Sequence, residues 1–207
     1  TRSLCDWSSD VCSSDLKLNP AKDTSVALME ALQRGGGQPW SCELADLSAE
    51  PHPEGGYGTW VRACPLELGA MSPDGWVRPG TAQRLPLDSF QVVWMRKDPP
   101  VDEAYLYATH LLELGERRGV RVINRPASLR AWNEKLCSLR FGHLMAPTAV
   151  SSRVETLRRF AQEHGEVVLK PLSGRAGQGV VFASRSEEHT SELQSHSDLV
   201  CRLLLEK

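Results

Sequence analysis

Lys170 and the glycines that follow it form the most suggestive spacing in this sequence. The run from 167 to 181 reads Val-Val-Leu-Lys-Pro-Leu-Ser-Gly-Arg-Ala-Gly-Gln-Gly-Val-Val. Its apolar start is a strand that delivers Lys170 at its end. Gly174, Gly177 and Gly179 then permit backbone conformations in which several N–H groups point at one anion, as a nucleotide phosphate requires. The same run is equally a glycine-bearing hairpin with a solvated lysine, and the loop alone leaves these readings level. No Gly-Lys-Ser/Thr follows the glycines and no helical pattern either, so a Walker A loop and a dinucleotide fingerprint are both excluded.

Three further clusters carry charge at informative places. Met95-Arg96-Lys97-Asp98-Pro99-Pro100 follows an apolar run, at the carboxyl end of an expected central strand, where open α/β sheets put their ligands. Its two cations suit a carboxylate; the plainer reading is a polar stop closed by prolines. Lys135 lies in Asn133-Glu134-Lys135-Leu136, on a helix expected from Ser128 to Leu139. Taken alone it is a solvated helix lysine, with Arg130 an ion-pair partner on the same face. Lys22-Asp23-Thr24-Ser25 opens the first helix, where an ordinary cap accounts for it.

The elements that must position these residues follow from periodicity. Ala27, Leu28, Ala31 and Leu32 share one helical face, and Gly35, Gly36 and Gly37 stop that helix. Residues 49–86 are rich in Pro and Gly, with an irregular hairpin expected from 57–63 and 75–77. Residues 90–95 read as a buried strand, 104–114 as a helix closed by Gly119, and 120–123 as the next strand, a unit that favours parallel pairing. Beyond Pro126 a second unit begins: a short strand near Thr148, a helix marked by Val154, Leu157, Phe160 and Ala161 and ended by Gly165, then strands at 167–169 and 180–183 around the glycine loop.

Composition narrows the class. The 207 residues are 41% hydrophobic and 24% charged, those of an ordinary globular protein. A formal net charge of -2 gives no basic footprint, so nucleic acid and anionic membrane are not implied partners. No apolar run approaches the ~20 residues of a membrane span, and a cytoplasmic address is the default. The six cysteines lack the close pairs of zinc or redox motifs and read as free thiols.

The order strand, lysine, glycine loop, strand resembles the phosphate-covering hairpin of ATP-grasp ligases, which also carry a second lysine earlier on a helix. Val122-Ile123-Asn124-Arg125-Pro126-Ala127-Ser128-Leu129-Arg130 with Asn133-Glu134-Lys135-Leu136, the hexapeptide at 95–100, and Lys22-Asp23-Thr24-Ser25 together resemble the bacterial glutathione synthetase family. The likeness runs from Asn19 to Ala183 and is strongest from Phe90 onward. Ser173 and Ala176 depart from it, standing where an acidic residue and a glycine are more usual.

The resemblance implies an α/β fold: a Rossmann-like pre-ATP-grasp domain over 17–124 with an open, mainly parallel sheet, then over 125–184 the start of a truncated ATP-grasp domain of α+β type. It implies an ATP-dependent carboxylate-amine ligase. On that resemblance ATP would phosphorylate γ-glutamylcysteine, and glycine would attack the acylphosphate to give glutathione, ADP and phosphate. Lys135, Lys170, Ser173, Gly174, Gly177 and Gly179 would bind ATP, and Arg96, Asp98 and Ser25 the dipeptide. Catalytic residues and magnesium ligands belong to a carboxyl-terminal half outside these residues, so the chain by itself is expected to be inactive and prone to aggregate. Full-length members are expected to be homo-oligomers. Rival readings are another ATP-grasp carboxylate-amine ligase, which 95–100 and 124–130 argue against, and a non-catalytic nucleotide-binding module.

The two ends read differently. Residues 8–15 carry six Ser and Asp with no usable periodicity. The string AGATCGGAAGAGCAC, resembling a sequencing-library adapter, translates as Arg185-Ser186-Glu187-Glu188-His189; its reverse complement reads in a shifted frame as Cys12-Ser13-Ser14-Asp15-Leu16. Residues 1–16 and 185–207 are therefore expected to be translated adapter, without a part in the fold. A helix suggested by pattern over 198–207 carries no function, nor do His189, His196 and Cys201 as a metal set.

Overall fold

The computed structural model describes residues 2–6, 18–69, 75–97, 101–133, 135–172, 179–183 and 199–203. They fall into two compact units, Thr1–Arg130 and Ala131–Lys207.

The first unit is built on strands β1 (Arg2–Asp6), β2 (Gln38–Cys42), β3 (Leu47–Pro51), β4 (Tyr57–Leu68), β5 (Val77–Pro79), β6 (Gln83–Pro86), β7 (Val92–Met95) and β8 (Arg121–Ile123). The sheet runs β3-β4-β2-β1-β7-β8, with β5 and β6 also paired to β4. Pairings β1–β2, β1–β7 and β7–β8 are parallel, and those of β4 are antiparallel. Helix α1 (Thr24–Arg34) lies on one face and α2 (Glu103–Arg117) on the other. Alternation along β7 records this: Val93 and Met95 join the core with Tyr105, Ala108 and Leu112 of α2, while Trp94 joins Val26 and Met29 of α1. β4 serves both layers, giving Val61 and Ala63 to the α2 side and Leu66 and Leu68 to the α1 side. α2 comes very close to its neighbour: a Cβ on Gly115 would lie 2.5 Å from Leu87 Cδ2.

Several expectations are corrected here. Arg2–Asp6 is not a tail without structure but the strand between β2 and β7. A central position demands first an unbroken ladder of N–H and C=O groups on both edges, and five residues without proline supply it. Residues 49–86 make more than an irregular hairpin, because the twelve-residue β4 organises the antiparallel half of the sheet. Asp23 precedes α1 but does not cap it; its carboxylate accepts instead from the Asn19 amide at 2.6 Å. The helix expected from Ser128 to Leu139 is broken: α3 (Pro126–Ala131) ends early, and a 3₁₀ stretch, Cys137–Leu144, follows.

The second unit has β9 (Thr148–Ser151), α4 (Val154–His164), β10 (Val167–Pro171), β11 (Val181–Ala183) and β12 (Leu199–Leu203). Its sheet is antiparallel, ordered β11-β10-β12-β9. Leu157 of α4 packs on Val167 and Leu169, with Phe160, Ala161 and Val181 around them. Gly165 ends α4 at φ 88, a conformation costly for any residue with a Cβ. Leu199–Leu203, suggested as helix by pattern, is a strand, because it fills the gap between β10 and β9.

Candidate functional site

At the carboxyl end of the parallel strands, the chain leaves β1 toward α1 and β2 on one side and leaves β7 toward α2 and β8 on the other. The order β2-β1-β7 makes this the point where connections diverge, and open α/β sheets bind ligands in the crevice so formed. Two of the expected substrate residues meet there. Arg96, the residue after β7, donates from Nε to Ser25 Oγ in the first turn of α1 at 3.1 Å. Ser25 is buried, whereas Arg96 is exposed. The first turn of α1 holds no acidic side chain, but the Asp23 carboxylate stands immediately before it, so the positive charge at this point comes from the guanidinium. A carboxylate is the group this arrangement suits. Asp98 lies outside the described residues.

Arg130 is taken up by structure. Its guanidinium donates to Thr109 Oγ1 at 3.2 Å and pairs with Glu113 at 2.5 Å, tying α3 to α2. The hydrogen bond from Arg130 holds the Glu113 carboxyl below its ordinary value against the opposing effect of burial, helped by the charges of Arg130, Arg117 and His110.

In the second unit β10 delivers Lys170 near its end, and the antiparallel β10–β11 pair makes the strand-loop-strand geometry. Gly179, exposed at φ 68, begins the return. Ser173, Gly174 and Gly177 lie outside the described residues. Lys135 reaches the stem of this loop: its Nζ donates to the Leu172 carbonyl at 2.8 Å. Thus Lys135 meets the chain one residue past the end of β10 and two past Lys170 in sequence, although it does not sit on the expected helix. The sequence reading missed why. Asn133 turns the chain, its Oδ1 accepting from the amides of Lys135 at 3.0 Å and Leu136 at 3.1 Å. Asparagine's habit of competing with helical hydrogen bonds was the available signal.

Among the described residues no three His, Cys, Asp or Glu side chains converge to hold a metal, and no helix is long and apolar enough to cross a membrane. Cys42 and Cys64 are buried, and Cys137 is half-buried.

The chain matches the family profile of the prokaryotic glutathione synthetase N-terminal domain over residues 13–130, and that of the prokaryotic glutathione synthetase ATP-grasp domain over 134–201. It is 55% identical over 165 residues to the glutathione synthetase of Parasynechococcus marenigrum, covering 80% of this chain and 50% of that one. It is 57% identical over 164 residues to that of Prochlorococcus marinus, covering 79% and 50%. The chain therefore spans about half the length of the curated relatives it matches. In fold it is similar to D-alanyl-alanine synthetase A from Vibrio cholerae, at a TM-score of 0.58 and 11% identity, with 99% of this chain and 60% of that one covered. With its two domain profiles matched in sequence order, the chain belongs to the prokaryotic glutathione synthetase family, on an ATP-grasp ligase fold.

Proposed function

We propose that these residues form the dipeptide-binding and part of the ATP-binding apparatus of a ligase that joins γ-glutamylcysteine to glycine. A carboxylate oxygen of the dipeptide attacks the γ-phosphorus of ATP and the bond to ADP breaks. The amine of glycine then attacks the acyl carbon, phosphate departs and the amine loses a proton. Arg96, with Ser25 fixing its guanidinium and Asp98 beside it in sequence, holds the dipeptide. Lys135 and Lys170 offset charge on the phosphates, and the loop carrying Ser173, Gly174, Gly177 and Gly179 covers them. Magnesium would supply further neutralisation, and the described residues offer no set of ligands for it. The protein works in the cytoplasm, and its full-length form is a homo-oligomer.

The observation that supports this reading best is the reach of Lys135 to the Leu172 carbonyl, beside Lys170 and at the foot of the glycine loop. Titrating MgATP and γ-glutamylcysteine separately into the 207-residue chain tests it. Arg96→Ala should weaken the dipeptide about 10- to 100-fold and leave MgATP unchanged, the loss expected for one charged hydrogen bond. Lys170→Ala should do the reverse. Failure of either substitution to discriminate between the ligands contradicts the assignment. With MgATP, γ-glutamylcysteine and glycine all supplied, the chain alone should release no ADP.

Residues 1–16 and 185–207 are, on this reading, encoded by opposite strands of one adapter oligonucleotide. The nucleotide sequence across both ends decides it: a different coding string at either end removes the claim.

A further inference from the structure

Lys135 is held by its backbone on both sides. Its amide donates to Asn133 Oδ1 at 3.0 Å, and its carbonyl accepts from Ser138 Oγ at 2.7 Å. Asn133 does three things in this turn. Its side-chain oxygen takes the amides of Lys135 and Leu136, and its own carbonyl takes the Cys137 amide at 2.9 Å, which starts the 3₁₀ stretch. Helix α3 stops at Ala131, two residues earlier. Nothing in the side chains of the 128–139 segment forbids a continuous helix: proline and glycine are absent from it, and Ser, Leu, Arg, Ala, Glu and Lys prevail. What ends the helix is the short amide arm, which offers the backbone a local acceptor in place of the carbonyl four residues back. A continuous helix would swing Lys135 around its axis and change the direction of its side chain, whereas in the observed turn Nζ arrives at the Leu172 carbonyl, 2.8 Å away.

We infer that Asn133 is a positioning residue for nucleotide binding: its side-chain carbonyl sets the turn that aims Lys135 at the stem of the glycine loop. The inference rests on the reading of Lys135 as a phosphate ligand, and the test separates the two. MgATP is titrated into the unaltered chain and into Lys135→Ala, Asn133→Ala, Asn133→Gln and Asn133→Ser, with far-ultraviolet circular dichroism and thermal melting of each. Asn133→Ala and Asn133→Gln should weaken MgATP about tenfold, in keeping with the loss of hydrogen bonds of ordinary strength. Glutamine keeps the amide, but its longer arm does not close the same ring. Asn133→Ser, which retains an oxygen acceptor close to the backbone, should stay within about threefold of the unaltered chain, since serine makes the same local turn more weakly. Asn133→Ala should also gain helical signal. If Asn133→Ala fails to fold, the comparison of glutamine with serine decides. Should Lys135→Ala weaken MgATP while Asn133→Ala and Asn133→Gln leave it unchanged, or should serine do no better than glutamine, the positioning role is wrong and the lysine reading stands. An unaltered chain that does not bind MgATP, or a Lys135→Ala chain that binds it as well, overturns both.

Discussion

Glu113 shows how a single contact on α2 makes this chain sensitive to acid. Arg130 stabilises the ionised carboxylate in the folded chain and is absent from it in the unfolded one, so the folded-state value lies below the ordinary 4.5. The sign follows. The stabilisation is complete above the unfolded value and is lost as pH falls from there through the lowered folded value. Glu113→Gln should therefore melt below the unaltered chain at pH 7, and the gap should close as pH is brought beneath 4.5. An equal gap at both ends of that range would show that Arg130 gains nothing from the charge. The meeting of Arg96 with Ser25 was legible at this scale because each adjoins the end of a readable element, which left the chain no freedom to separate them. Asp98, Gly174 and Gly177 were singled out by type alone, and their positions lie outside the described residues.

Elements with one clear period were readable from the sequence, and those shaped by several partners were not. α1, α2 and α4 carry apolar residues three and four apart and stop at glycines, so local pattern and tertiary packing agree. β4 defeated the pattern because it changes the helix it serves midway, burying Val61 and Ala63 on one side and Leu66 and Leu68 on the other. The break after α3 was hidden because helix propensity says little about one asparagine side chain reaching its own backbone. α2 should be the first unit's strongest support. Leu112 is 1% exposed within a core that includes Trp40, Val61 and Val93. Leu112→Ala should cost about 2–5 kcal/mol in chemical denaturation, the range for emptying such a site. A loss no larger than that of an exposed position such as Ala104→Ser would mean that α2 does not anchor the sheet.

Across the whole molecule, each sheet depends on a strand from one end of the chain. β12 separates β10 from β9 and is β9's only ladder partner among the described residues. A chain ended after residue 183 should lose amide-exchange protection in β9 and the facing edge of β10, while β2, β7 and α2 keep theirs. Retained protection in β9 would require a replacement partner. β1 has the complementary position. It precedes both of its partners in the chain, yet it is the middle of its sheet, and its two sides close at different times. One side meets β2 after a single helix; the other waits for β7, with the whole antiparallel meander made in between. Until Val92–Met95 emerges, the nascent sheet has an open seam along β1, and any chaperone that shields this protein during synthesis has its longest task there.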